Sequence, residues 1–312
     1  MTALHITTPL LPHAALSRQL DKQVLLKMDS LQPSGSFKIR GVGKLCQNAY
    51  ANGARHFVCP SGGNAGFAAA VAGAALGVRT TIVVPQVTPQ SVRDKIRAIG
   101  AEVAVFGNVW DEANQEALRL CELPDAIYVP PFDHPDIWDG NASLIDETVA
   151  QLASDPLFDV VICAVGGGGL FAGVVQGLHR NGLQRVPVIA AETEGAASFA
   201  AAIQAGGLVT LPAVTSIANS LGASRVAQQA FDWTRQHEIH SVVVSDADAV
   251  DACLRFADDM RVLVEPACGA ALAVAYRNLP VLASFKRPLI VVCGGIGVDL
   301  VKLATWKTQF SL

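Results

Sequence analysis

The chain has 312 residues, of which 51% are hydrophobic and only 16% charged, with a formal net charge of −4. That length holds one large α/β domain or two smaller ones, and so little charge suggests strands covered on both faces, not a sheet open to water. Its Lys and Arg residues are scattered, which excludes a nucleic-acid footprint or a membrane-binding basic face and leaves a small molecule as the expected ligand.

In chain order, short β-rich runs alternate with helix-like stretches. The expected strands are Val24 to Lys27, His56 to Cys59, Thr80 to Val84, Glu102 to Phe106, Asp159 to Val165, Val186 to Ala191, Ser241 to Ser245 and Leu289 to Cys293. This alternation predicts an α/β fold with parallel sheets and helical crossovers. The Ala-rich segments Ala65 to Leu76 and Leu170 to Leu178 carry small side chains that let a helix lie close to a sheet. The proline-rich run Val129 to Pro135 breaks regular structure, and a domain crossing is expected near it. The seven cysteines form no C-x-x-C pair, so most are expected to be buried thiols of a reduced protein. No signal peptide or bilayer-spanning run is visible, and a cytoplasmic location is expected.

Four glycine-bearing segments carry the chemistry. Gly166, Gly167, Gly168 and Gly169 follow an apolar strand and precede a helical run. Successive glycines let backbone N–H groups converge on phosphate oxygens, and the helix start adds favourable partial charge. A nicotinamide reading competes here. Gly167 to Ala172 fits the looser G-x-G-x-x-[GA] pattern, and Glu192 ends the next strand near the offset of a ribose-binding acid. That reading leaves the other three segments unexplained.

Ser61-Gly62-Gly63-Asn64-Ala65-Gly66 also lies between a strand and a helix. Its N–H groups and the Ser61 hydroxyl could bind a carboxylate, with Asn64 donating to an oxygen while capping the helix; the simpler alternative is an N-cap and nothing more. Lys38 sits in Pro33-Ser34-Gly35-Ser36-Phe37-Lys38-Ile39. Its apolar neighbours predict partial burial, which would free the amine to form a Schiff base; a solvated surface lysine is the plainer possibility. Cys293 precedes Gly294-Gly295, and a thiol there could face a heterocyclic nitrogen or simply fill the core.

Together these segments resemble the fold type II pyridoxal-phosphate enzymes, and within them the serine/threonine dehydratases. The motifs occur in that family's order and span nearly the whole chain. Pro131 to Ser143 and Val264 to Ala271 look most like the short L-serine dehydratases of the mammalian liver type. The resemblance implies a two-domain, tryptophan synthase β-like architecture. Residues 1–35 and 136–312 would form a large cofactor-binding domain and residues 36–135 a small one carrying the asparagine loop, with the site between them. It implies a homodimer as well.

By the same resemblance Lys38 is the Schiff-base lysine and general base, Gly166 to Gly169 the phosphate cup, and Asn64 the partner of the cofactor's ring hydroxyl. Cys293 faces the pyridine nitrogen, and Phe37 with Gly222 or Ala223 flanks the ring. Ser61, Gly62, Gly63, Asn64 and Ala65 bind the substrate carboxylate. Glu192, Ala196, Ser198, Leu221 and Ala223 hold potassium, although Glu192 could equally be a carboxylate that only makes hydrogen bonds. The implied reaction removes the α-proton and the β-hydroxyl of L-serine, or of L-threonine, giving pyruvate or 2-oxobutyrate plus ammonia. A thiol opposite the ring nitrogen would make the ring a weaker electron sink and disfavour transamination.

Serine racemase is the nearest alternative, but racemases of this family carry a second serine where this chain has Gly62 and an acidic cation ligand where it has Ser198. A nicotinamide-dependent dehydrogenase and a pyridoxal-binding protein without efficient catalysis are the other readings.

Overall fold

A computed structural model describes residues 2–153 and 157–312. The strands are β1 (Leu10–Pro12), β2 (Leu25–Lys27), β3 (His56–Cys59), β4 (Arg79–Val84), β5 (Glu102–Val105), β6 (Ala126–Tyr128), β7 (Val160–Ala164), β8 (Val188–Thr193), β9 (Ile239–Val244) and β10 (Pro288–Val291). The α-helices are α1 (Ala14–Leu20), α2 (Lys38–Ala51), α3 (Asn64–Leu76), α4 (Gln90–Ala98), α5 (Trp110–Leu120), α6 (Pro135–Leu152), α7 (Gly169–Arg180), α8 (Ser198–Ala205), α9 (Gln228–Trp233), α10 (Asp246–Met260), α11 (Pro266–Tyr276) and α12 (Leu300–Gln309). The chain divides into two compact units, Met1–Ile6 with Gln32–Asn141 and Thr7–Leu31 with Ala142–Leu312. Among the described residues no helix is long and apolar enough to cross a membrane.

The first unit holds a parallel sheet in the order β5-β4-β3-β6. Each link is a helical crossover, as the strand–helix alternation predicts, and β3 is buried at every position. Small residues set the spacing between α3 and its sheet: a Cβ on Gly73 would lie 1.8 Å from the Thr80 hydroxyl. On α5, Ala113 and Ala117 are buried against Val58 of β3 and Val83 of β4.

The second unit holds a sheet in the order β1-β2-β10-β7-β8-β9, parallel except for the antiparallel β1–β2 pair. Strands β7 and β10 are wholly buried. So is every residue of α11, whose Pro-Ala-Cys-Gly-Ala-Ala sequence suits a helix with no solvent face. A Cβ on Gly269 would lie 2.2 Å from the Ala249 carbonyl of α10, so the glycine lets these helices meet. Lys27 is buried as a charge but not left unpaired. Its ammonium lies 2.8 Å from Glu147 and donates to the Thr8 carbonyl and to Gln151 Oε1, each at 2.9 Å, which offsets the cost of desolvation.

Two strands escape the sequence pattern. β1 and β6 have three residues each, too few for a period, and β1 ends in Pro12 on a sheet edge, where proline is tolerated. The strand expected from Val186 to Ala191 is displaced toward its C-terminal end: Val186 closes a turn by donating to Leu183 O at 2.9 Å, and β8 runs on through Glu192.

Candidate active site

Lys38 is the first residue of α2. The turn before it is formed by Gly35 at φ 74°, whose N–H donates to Gln32 O at 2.7 Å, and by the Ser34 hydroxyl donating to Ser36 O at 3.2 Å. Lys38 is half-buried. Its Nζ donates to the Pro131 carbonyl at 2.5 Å and lies 5.2 Å from the centre of the half-buried Phe37 ring. Two residues before the lysine, the Ser36 hydroxyl is buried without a hydrogen-bond partner. An orphaned hydroxyl of this kind is costly in the absence of a ligand.

The asparagine loop leaves β3 within the same unit. Asn64 is not the helix cap expected from the sequence. Gly63 takes the cap position with no side-chain cap bond, and Asn64, 7% exposed, is the first helical residue. Gly63 N–H donates instead to the Ser61 hydroxyl at 3.2 Å. A Cβ on Gly62 would stand 3.2 Å from Thr88 and Val84 methyls, and one on Gly66 would sit 1.7 Å from Ser61 O. Ala65 is buried behind the loop. Cys59, at the end of β3, links this loop to the lysine. Burial pushes its thiol up to about 12, while the Lys38 ammonium and the Ser61 N–H partly offset that rise.

In the second unit, β7 ends at Ala164 and the chain passes through Val165 into Gly166; Gly168 at φ 90° is the cap of α7, again without a side-chain cap bond. A helix start so arranged can accept an anion. Part of the glycine content serves packing: a Cβ on Gly166 would lie 2.9 Å from Leu221 Cα, and one on Gly168 would lie 2.5 Å from Ala230. Gly167 O accepts from Ala227 N at 3.0 Å, and Gly169 opens the helix.

Cys293 lies two residues past β10, not at its last position, and is 5% exposed. A hydrogen bond with the Cys268 thiol, together with burial, holds it well above the ordinary thiol range, so it is neutral. The glycines beyond it answer to Glu265. Gly295 adopts φ 125°, a Cβ there would lie 1.9 Å from the Glu265 carboxyl carbon, and Gly297 N–H donates to Glu265 Oε2 at 3.0 Å. The sequence reading missed Glu265 because nothing local marks a contact 32 residues away.

Glu192 is fully buried in β8, and burial pushes its carboxyl up to about 7 despite N–H bonds from Phe199 at 2.9 Å and Ala200 at 2.7 Å. Both oxygens are thus engaged at the start of α8, so the carboxylate is not presented to a ribose. Ala196 and Ser198 are buried beside it in sequence, and the Ser198 hydroxyl has no hydrogen-bond partner. Leu221 is buried and accepts from Ala223 N at 2.8 Å. Among the described residues no group of three or more His, Cys, Asp or Glu is placed to hold a metal. A cation here would therefore need hydroxyl and carbonyl oxygens as well as the carboxylate.

A lysine amine, a glycine-started helix lacking a side-chain cap, and a neutral thiol suit a carbonyl, a phosphate and a heterocyclic nitrogen in turn. Residues 1–294 match the family described as "Pyridoxal-phosphate dependent enzyme". The chain is 50% identical to "Serine dehydratase-like" from Homo sapiens, covering 98% of this chain and 94% of that protein. It is 47% identical to human "L-serine dehydratase/L-threonine deaminase", covering 99% and 96% respectively. The solved structure of a fungal L-serine ammonia-lyase from Rhizomucor miehei matches with a TM-score of 0.94 at 37% identity, covering 99% of this chain and 100% of that one. The two parallel-rich sheets flanked by helices are those of the fold type II enzymes. On its sequence and its fold, the chain belongs to the pyridoxal-phosphate dependent enzyme family.

Proposed function

We propose that this protein is an ammonia-lyase that converts L-serine to pyruvate and L-threonine to 2-oxobutyrate, releasing ammonia. The observation that carries the reading is Lys38 at the start of α2, in a chain 47% identical throughout to an L-serine dehydratase/L-threonine deaminase. When bound, pyridoxal phosphate supplies an aldehyde carbon for amines and a conjugated ring that takes up the electron pair left at the α-carbon.

The chain's own residues do the rest. Lys38 Nζ, released from Pro131 O, takes the proton from the α-carbon. The Cα–H and Cβ–O bonds break, the β-hydroxyl takes up a proton and leaves as water, and the resulting enamine, as its imine tautomer, is hydrolysed by water to the 2-oxo acid and ammonia. The Ser61 hydroxyl and the N–H groups through Ala65 hold the substrate carboxylate, with Gly62 and Gly63 allowing close backbone approach. Asn64 would meet the cofactor's ring hydroxyl, Phe37 would pack on its ring, and Gly166 to Gly169 would hold its phosphate. Cys293, being neutral, would leave the ring nitrogen without a charged partner. Gly62 offers no second proton carrier, which favours elimination over racemisation.

Glu192, Ala196, Ser198, Leu221 and Ala223 are proposed to hold potassium. The orphaned Ser198 hydroxyl and the buried Glu192 carboxylate support this, because an oxygen-only set with one charge suits a hard monovalent ion. Its charge would compensate Glu192 and brace residues 221–223, of which Leu221 packs beside Gly166. A homodimer is proposed from the family resemblance.

Purified protein supplied with cofactor should release pyruvate from L-serine, measured by lactate dehydrogenase coupling, and K38A should release none while remaining folded. Potassium should give a faster rate and a higher Tm than lithium at equal ionic strength. D-serine as the main product would contradict the elimination reading, and equal rates and Tm in both salts would remove the cation.

A further inference from the structure

Trp110 is the first residue of α5, and 46% of its surface is exposed. An indole this open could leave its N–H to water, yet Nε1 donates to the Pro60 carbonyl at 2.7 Å. Pro60 separates β3 from Ser61, so the bond spans 50 residues of chain to the root of the asparagine loop.

The helix that carries Trp110 is braced against the strand from which the loop emerges. Ala113 and Ala117 are buried against Val58 of β3 and Val83 of β4, and the Tyr128 hydroxyl of β6 donates to Asn114 at 2.8 Å. The turn leading into α5 is fixed as well, because Asn108 N–H donates to Glu112 Oε2 at 2.5 Å. A Cβ on Gly107 would lie 2.4 Å from Glu112 Cβ, so that side chain closes over the turn. At the far end of the loop, Gly66 brings α3 into contact with Ser61 O. The loop is thus held at its root by the bond to Pro60 O, and its two ends meet where Gly66 packs on Ser61 O, with Gly62 and Gly63 between them.

We infer that Trp110 is a positioning residue for the Ser61–Ala65 loop, holding its N–H groups and the Ser61 hydroxyl in register for a substrate carboxylate. The inference rests on the carboxylate role proposed for that loop. Trp110 touches no reacting atom, so losing its bond weakens substrate binding and leaves proton transfer at Lys38 intact. Its half-open indole also reports on the loop, since occupancy changes the field around Nε1.

The holoenzyme variant W110F keeps an aromatic ring and removes the donor. Losing a hydrogen bond of ordinary net strength should raise KM for L-serine about two- to ten-fold with kcat held within about two-fold. An unchanged KM, or a fall in kcat alone, would overturn the inference. A second measurement does not depend on that variant folding. In the holoenzyme of W138F/W233F/W306F, Trp110 is the sole tryptophan, and adding glycine as an unreactive amino acid should shift its emission. Constant emission would count equally against the role. A wild type that releases no pyruvate removes the parent reading, whereas an active wild type beside an indifferent W110F removes only this one.

Discussion

A methyl group added at Gly66 would lie 1.7 Å from Ser61 O, far inside van der Waals contact, and the obstacle is backbone that cannot swing aside. G66A should therefore lower stability by about 1–3 kcal/mol, as overpacking does, and raise KM for L-serine by displacing the carboxylate loop. Thermal unfolding and steady-state kinetics check the two effects separately. The loop itself was legible in the sequence because glycines, serine and asparagine cluster between a strand and an Ala-rich helix. Why Gly66 in particular must be glycine was not, since its constraint comes from a turn folded back onto it. The same holds for Gly295, whose positive φ and lack of a side chain make room for Glu265. The order of residues located the turn beyond Cys293 but not the carboxylate it wraps. Asn64 misleads for a related reason: asparagine is a favoured cap, yet Gly63 occupies the cap position.

At the level of elements, the joint between β8 and α8 depends on one buried carboxyl. Glu192 is pushed up to about 7 by burial, so the folded protein holds this proton more tightly than the unfolded chain does. The contribution is fully present below the ordinary carboxyl range and is lost as pH rises through about 7. Its size is on the order of 3 kcal/mol. In tetramethylammonium buffers, the Tm of wild type relative to E192Q should fall between about pH 5 and pH 8. The buried His13, His56 and His237 are all held below the ordinary imidazole range by burial. They lose stability in the opposite direction, as pH falls, and cancel in the comparison with E192Q. A constant Tm difference between the two proteins would contradict the burial argument. Elements were readable wherever an apolar run was long enough to state a period, as in β4, β7 and β10. β6 was lost among Ala126, Ile127 and Tyr128, three residues flanked by turns, although it pairs with β3 in full register.

For the whole molecule, a chain with 16% charged residues was expected to bury its strands on both faces; β3, β7 and β10 are buried throughout and β4 at every position but Arg79, whereas the edge strands β5 and β9 are partly exposed. The first unit carries the lysine turn and the asparagine loop. The second carries the glycine turn, the neutral thiol and the buried carboxylates. The turns themselves could be read from the sequence because each is a local event at the end of a strand or the start of a helix, whereas the partners that complete them, such as Pro131 for Lys38 and Glu265 for Gly297, are distant in sequence. The central claim is that Lys38 is the covalent tether of the cofactor. Borohydride reduction of the purified holoenzyme followed by peptide mass analysis tests it most directly. We predict one pyridoxyl group, on the peptide containing Lys38 and lost in K38A; a pyridoxyl group on another lysine, or none, would contradict the account.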